Sequence, residues 1–338
     1  MAIGDLHRFP ITVLGAGAWG TALAVHLARN GNPVTLWAHR AEHARQMARE
    51  RENRRYLPGI PLPDNLQPAA GLAQAVAGER LLLVVVPSHA FRETLRAVQP
   101  LLEDHHCLAW GTKGMEYGSH KLLHQVVAEE LGDGVPAACI SGPTFAAEVA
   151  RGLPSALTVA SRNVEFARRV ALLLHGPTFR AYISEDIIGV ELGGALKNVL
   201  AIAAGIADGL GLGANTRAAL ITRGLAELMR LGVVMGGQRE TFMGLAGLGD
   251  LVLTCTDDQS RNRRFGKALG RGDSRDQAVA DIGQVVEGIH SAAEARALSQ
   301  MHQVEMPIAE QVYRVLYEGA GPHAAVRHLL DRDIKPEI

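Results

Sequence analysis

The chain has 338 residues, 47% of them hydrophobic and 20% charged, with a mean hydropathy of +0.06. That length is too great for one small core and suits two domains, and the balance excludes intrinsic disorder. Lys and Arg total 34 against 35 Asp and Glu, so charge gives no reason to expect nucleic acid or an anionic membrane as partner and leaves a small molecule as the expected one.

The first twenty residues, MAIGDLHRFPITVLGAGAWG, lack the basic start, unbroken apolar run and cleavage site of a signal peptide. No apolar run reads as long enough to span a bilayer. Cys107, Cys139 and Cys255 lie far apart without CxxC spacing, the usage of a reducing compartment. A soluble, cytoplasmic protein is expected.

In chain order, FPITVLG (9–15) predicts a strand ending in glycine, followed by a helix over TALAVHLARNG with Gly31 as its stop. PVTLWAH (33–39) predicts the next strand and AEHARQMARERENRR a charged, exposed helix. RLLLVVVPSHA (80–90) is a continuous apolar run, as expected of a parallel strand covered on both faces. CLAWGTKG (107–114) and AACISGPT (137–144) predict further strands running into glycine loops, with a helix over HKLLHQVVAEELG between them. ALTVAS (156–161) and TFRAYIS (178–184) flank the helical NVEFARRVALLLHG and predict edge strands, with antiparallel pairing open. These β-α repeats define a Rossmann-type, doubly wound, mostly parallel sheet, whose ligands bind outside the carboxyl ends of the strands.

From about residue 189 the pattern becomes Ala/Leu/Gly-rich and helical: 190–209, 214–234, 261–270, 274–281, 289–302, 307–318 and 321–331. The expected organisation is therefore a dinucleotide-binding domain over 1–189 and an all-α domain over 190–338. Glycines recurring between 189 and 250 point to close helix packing.

GAGAWG, residues 15–20, fits G-x-G-x-x-G between a strand and a helix. Gly15 permits the tight turn, Gly17 lets a pyrophosphate approach the backbone, and Gly20 lets helix and strand pack closely. The diphosphate is then expected at the helix N-terminus. Some twenty residues on, where an NAD site carries Asp or Glu, stand Ala38, His39 and Arg40. A cation there favours a 2′-phosphate, so NADPH is expected to bind at least as well as NADH; Arg40 as a mere helix start in solvent is the alternative. The Pro87–His89 loop is expected beside the nicotinamide half.

In ELGGALKNVLAIAAG (191–205) a lone Lys197 stands beside Asn198 in an apolar, glycine-rich helix. Gly193, Gly194 and Lys197 share a face. Burial disfavours the charged amine and moves it toward neutral-pH acid/base work, whereas snorkelling to the surface is the alternative. GLAGLGDLVLTCTDDQSRNRRFG (244–266) places Asp250 after two glycines in an expected tight turn, with N-capping as its structural alternative. Ser260, Arg261 and Asn262 then open a helix, an arrangement suited to a phosphate dianion, with Asp257 and Asp258 as caps; a solvated basic helix is the competing reading. Lys113 in GTKG, Gly142 and Thr144 in SGPTFAAE, and Val285 and Glu287 in GQVVEG would face the same cleft. His105, His106, His120 and His124 show no metal-ligand pattern, and no metal is expected.

These blocks, GAGAWGTALA, VVVPSH, GTKG, SGPTFAAE, GVELGGALKNVLAIAAG, ANTRAALITRGLAE, TFMGLAGLGDLVLTCT, QSRNRRFG and QVVEG, run in one order from residue 11 to about 290. In that order the chain resembles the bacterial NAD(P)-dependent glycerol-3-phosphate dehydrogenases. The resemblance implies reversible reduction of dihydroxyacetone phosphate to sn-glycerol 3-phosphate, a phospholipid precursor, with NADPH or NADH. It implies Lys197 as proton donor and acceptor and Asp250 as the carboxylate on the substrate side. Lys113, Gly142, Thr144, Asp250, Ser260, Arg261 and Asn262 fall on its substrate positions. Trp19, His39, Arg40, Lys113, Ala146, Arg261, Val285 and Glu287 fall on its dinucleotide positions, beside the Gly15, Gly17 and Gly20 turn. Ala18 departs from the Ser common in the family and lacks its hydroxyl, and Thr144 stands where some members have Ser. A homodimer stays open.

Two other classes fit parts of this pattern. A β-hydroxyacid dehydrogenase shares the layout and a lysine, but its carboxylate substrate gives less reason for SRNRR. A non-catalytic redox sensor keeps GAGAWG without needing Lys197 and Asp250.

Overall fold

The computed structural model describes residues 9–78 and 80–334 of the chain. Eight strands form one sheet: β1 (Ile11–Leu14), β2 (Val34–Trp37), β3 (Leu66–Ala69), β4 (Leu81–Val84), β5 (Cys107–Trp110), β6 (Ala137–Ser141), β7 (Ser155–Ala160) and β8 (Phe179–Ser184). Their order is β3-β2-β1-β4-β5-β6-β7-β8, and every pair is parallel except β6 with β7. The order reverses between β1 and β4, so the glycine turn after β1 lies at the switch point of a doubly wound sheet.

Connecting helices are α1 (Ala18–Arg29), α2 (Ala41–Glu50), α3 (Leu72–Val76), α4 (Phe91–Val98), α5 (Leu123–Leu131), α6 (Ala146–Arg151) and α7 (Val164–Leu174). Alternation along the central strands divides the core in two. Ile11, Val13, Leu81, Leu83 and Ala109 join one cluster with Leu23 and Leu27 of α1 and Val170 of α7. Leu14, Leu82, Leu108 and Trp110 are buried on the other face, where Phe91 of α4 meets the Trp110 ring edge-on at 6.2 Å.

The sequence expectation left α3, α4 and α6 unassigned, and β3 and α2 differ from it for physical reasons. β3 carries Pro68 and only four residues, too short and too irregular a run to signal a strand. The charged helix expected through Arg55 ends at Glu50, because Arg51 turns left-handed (φ 51°) and its guanidinium is held by the carbonyls of Leu62, Pro63 and Leu66.

The remainder is helical: α8 (Ile187–Gly209), α9 (Gly213–Val234), α10 (Arg239–Phe242), α11 (Asp250–Thr256), α12 (Arg261–Arg271), α13 (Arg275–Ile282), α14 (Glu287–Met301), α15 (Pro307–Tyr317) and α16 (Pro322–Leu330). Two compact units divide at Glu191/Leu192, within the first turns of α8. α8 corrects the expectation that no segment has membrane-spanning length: its most apolar stretch has a mean hydropathy of 1.6. That stretch is 94% buried, the condition of a core helix.

Glycines bring α8 and α12 into backbone contact. A Cβ on Gly205 would lie 2.2 Å from the Arg263 carbonyl oxygen, and one on Gly266 would lie 2.2 Å from that of Ile202. Gly209 and Gly270 repeat the relationship one turn later. Side chains at these four positions would force the helices apart, so the apolar, glycine-rich composition is a packing requirement.

Candidate active site

The first unit supplies the glycine turn. Gly15 adopts φ +122°, and a Cβ on Gly20 would meet the Gly15 carbonyl oxygen at 1.9 Å, so turn and helix fit only with glycine at both. At Gly17, by contrast, a Cβ would find nothing within 4 Å. Gly17 is the N-cap of α1 with no side chain capping it, and Ala18 opens the helix without a hydroxyl. Open space in front of uncapped helical N–H groups is the environment a dinucleotide diphosphate requires, so these residues fit the coenzyme. Trp19 contributes an indole Nε1 that is buried without a hydrogen-bond partner, close over Gly111.

His39 and Arg40 follow β2 and are exposed, with the His39 ring edge-on to Trp37 at 6.1 Å. Arg40 occupies the N-cap position of α2, so the helix-start alternative describes its backbone correctly while its guanidinium stays at the surface. After β5 and β6, three expected residues converge on one carbonyl. Lys113 Nζ donates to the Gly142 oxygen at 3.0 Å and Thr144 Oγ1 donates to it at 3.2 Å. Gly142 is pressed against Leu157, where a Cβ would lie 2.7 Å from its Cα. Ala146 begins α6 just beyond.

The second unit holds the lysine. Lys197 is 6% exposed; its Nζ donates to Asp250 Oδ1 at 2.5 Å and to Thr254 Oγ1 at 3.0 Å. Snorkelling is ruled out by that burial. A carboxylate in direct contact is the partner that a buried lysine amine requires. Thr254, which the sequence reading missed, lies one helical turn after Asp250 and donates to its main-chain oxygen at 2.6 Å. That i, i+4 spacing was the available signal.

Asp250 does not stand in a tight turn. Leu245–Gly249 form a π-helical turn that runs directly into α11, with Asp250 as the first residue of α11 and Gly249 in the N-cap position. Gly247 makes this possible, because a Cβ there would meet the Phe242 carbonyl oxygen at 2.1 Å. The capping alternative fails with it.

The start of α12 also departs from expectation. Asp257 accepts from the Gln259 N–H and Asp258 pairs with Arg263 and Lys267, so neither caps the helix; Ser260 does, accepting from the Arg263 N–H at 3.2 Å. Asn262 is also engaged. Its amide donates to Asn198 Oδ1 at 2.9 Å and its oxygen accepts from the Gly288 N–H at 2.9 Å. It thereby links the residue next to Lys197 with the start of α14. Arg261 remains available at the helix start: it makes a long contact of 3.4 Å to Gln284, and burial disfavours its charge while Glu287 supports it. Glu287 opens α14, two residues before the helix expected from 289, and Val285 is 41% exposed. Arg263 is buried and pairs with Asp208 at 2.5 Å, so the basic helix is not simply solvated.

Neighbouring thiols take no part in such chemistry. Burial pushes Cys255 up to about 12, which keeps it neutral beside Thr254. His124 is in contact with buried Glu191, its Nδ1 2.5 Å from the carboxylate, a structural arrangement shared with the Trp110 indole. No group of three or more His, Cys, Asp or Glu able to hold a metal occurs among the described residues.

A doubly wound sheet with a glycine turn at its switch point, followed by a helical unit enclosing a Lys–Asp pair, defines a dinucleotide-dependent oxidoreductase. Residues 10–167 match the profile of the NAD-dependent glycerol-3-phosphate dehydrogenase N-terminus and residues 186–327 that of its C-terminus. The chain belongs to this family. It is 60% identical to the glycerol-3-phosphate dehydrogenase (NAD(P)+) of Thioalkalivibrio sulfidiphilus, over 97% of this chain and 99% of that one. The crystal structure of glycerol-3-phosphate dehydrogenase from Coxiella burnetii superimposes with a TM-score of 0.93 at 52% identity, over 96% of this chain and 100% of that one. The enzyme from Saccharomyces cerevisiae is similar at 27% identity and a TM-score of 0.82, over 96% and 100%.

Proposed function

We propose that Lys197 and Asp250 carry the reversible, NAD(P)H-dependent reduction of dihydroxyacetone phosphate to sn-glycerol 3-phosphate, the reaction of the family to which the chain belongs. The observation that supports this most is the buried contact of Lys197 with Asp250 and Thr254, beside an Asn198–Asn262 bond that ties it to the start of α12. A bound dihydronicotinamide supplies the hydride. Lys197 hydrogen-bonds the C2 oxygen of the ketone, polarises it and gives its proton to the forming alkoxide; Asp250 holds the amine in its charged form until then. In the reverse direction the neutral amine takes the alcohol proton.

Arg261, with the first N–H groups of α12, binds the substrate phosphate, and a dianion there offsets the burial that disfavours the guanidinium. Ser260, whose hydroxyl accepts in the cap and keeps its own O–H, and Asn262, held by the Asn198 bond with a second amide hydrogen, contribute to this end beside Arg261. Lys113, with Gly142 and Thr144, contacts substrate and coenzyme. The turn at Gly15, Gly17, Ala18, Trp19 and Gly20 takes the diphosphate. His39 and Arg40 take a 2′-phosphate, so NADPH is preferred; Ala146, Val285 and Glu287 complete the coenzyme contacts. This reading includes a cytoplasmic homodimer supplying glycerophospholipid synthesis.

The test is a spectrophotometric assay with dihydroxyacetone phosphate, run once with NADPH and once with NADH, beside a panel of 3-hydroxyacids run with NADP+ and NAD+. Oxidation of NADPH with the triose phosphate alone is expected. Turnover confined to hydroxyacids, or none with tight NADPH binding, would replace this reading with one of the two other classes.

A further inference from the structure

Asn53 lies in the segment between α2 and β3 and is 1% exposed, and both polar atoms of its side chain are engaged. Its Nδ2 donates to the Ala16 carbonyl at 3.0 Å and to Thr21 Oγ1 at 2.8 Å, across 37 and 32 residues of sequence. Its Oδ1 accepts from the Tyr56 N–H at 3.3 Å and lies 3.0 Å from His43 Nε2 on α2. One donor hydrogen therefore serves the glycine turn and the other Thr21 on α1, while the oxygen meets the Tyr56 N–H and His43 on α2.

The Ala16 bond fixes more than a distance. In a trans peptide the C=O and the following N–H point in opposite directions. With the Ala16 oxygen turned inward onto a buried amide, the Gly17 N–H is turned away from it, and Gly17 is where a Cβ would meet nothing within 4 Å. A glycine-rich turn has little intrinsic preference for one peptide orientation, so an outside donor is needed to hold it.

We propose that Asn53 is a positioning residue for the coenzyme: it locks the Ala16–Gly17 peptide with its N–H toward the diphosphate and ties that turn to α2. The inference rests on reading Gly15–Gly20 as the diphosphate site. Pre-orienting this amide spares the bound coenzyme the cost of ordering the turn. Because the diphosphate is common to both coenzymes, the effect is the same for NADPH and NADH.

Asn53→Asp keeps the shape but sets carboxylate oxygens against the Ala16 carbonyl. In the full-length enzyme, KM and Kd for both NADPH and NADH are expected to rise about tenfold, the factor equivalent to about 1.4 kcal/mol. KM for dihydroxyacetone phosphate and kcat at saturating coenzyme should stay within about twofold, since the lysine site is untouched. Thr21→Val, which removes one of the two acceptors and keeps the volume, should show the same pattern with a smaller rise, and serves if the first variant folds poorly. Coenzyme affinity unchanged in both variants, or reduced only in proportion to the fraction of unfolded protein, would overturn the inference. A wild-type enzyme that binds neither coenzyme would instead remove the glycine-turn reading beneath it.

Discussion

Lys197 and Asp250, 53 residues apart in the chain, meet at 2.5 Å with side chains only 8% and 2% exposed. Two charges out of water at that separation are worth little as a source of stability, but each makes the other tolerable. Removing one partner leaves an uncompensated buried charge.

Asp250→Leu and Lys197→Met are each expected to lower stability, by about 3–5 kcal/mol on the usual scale for broken buried pairs. The double variant should recover most of that loss, because no charge is then left buried. Denaturant unfolding of the four proteins measures it. Additive losses would mean the pair does not share its burial cost.

Arg261→Ala should raise KM for dihydroxyacetone phosphate about tenfold to a hundredfold, the scale of one charged hydrogen bond, with a smaller effect on kcat. Steady-state kinetics at saturating coenzyme decide it. An unchanged KM would remove the phosphate role of the α12 start.

Gly266→Ala places a methyl 2.2 Å from the Ile202 carbonyl, where backbone must shift. A stability loss of about 1–3 kcal/mol is expected, as for other overpacked interiors. Gly134→Ala is the control, since a Cβ there meets nothing within 4 Å. Equal melting temperatures for both variants would contradict the backbone contact.

Glu227 is buried beneath the start of α15, accepting the N–H groups of Ile308 and Ala309 at 2.7 and 3.2 Å. Burial nonetheless pushes its carboxyl up to about 7 from an ordinary 4.5. Below 4.5 it is protonated in both folded and unfolded chains. Between 4.5 and 7 the unfolded chain releases the proton while the folded one holds it, so stability falls as pH rises through this window and stays reduced above it. Relative to Glu227→Gln, the wild type should therefore lose stability between those values, by on the order of 3 kcal/mol at most. Melting temperatures of the two proteins across that range check it; a constant difference would contradict the raised carboxyl.

Local pattern made the sheet and the glycine turn legible. A strand, G-x-G-x-x-G and a helix sit side by side in sequence, and the continuous apolar run of β4 announces burial on both faces. The helical half was legible from its Ala/Leu periodicity, and Lys197 from its incongruity. What pattern could not supply was partnership across the chain. Thr254 and Asn198 take their roles from bonds to Asp250, Lys197 and Asn262 that only folding creates. Asn53 sat in a charged run that reads as helix, and nothing local marks Arg51 as the left-handed residue that ends it. The paired glycines before Asp250 look like a turn because their real use, a π-helical turn pressed onto the Phe242 carbonyl, has no sequence signal of its own.

The measurement that bears most directly on the central claim is single-turnover reduction of dihydroxyacetone phosphate by Lys197→Met with NADPH, with coenzyme Kd determined on the same preparation. The rate of the chemical step is expected to fall about 10²- to 10⁴-fold, the contribution of a positioned proton donor, with Kd for NADPH unchanged. A variant that reduces the substrate within tenfold of the wild-type rate, or that loses NADPH affinity instead, would show that Lys197 does not deliver the proton.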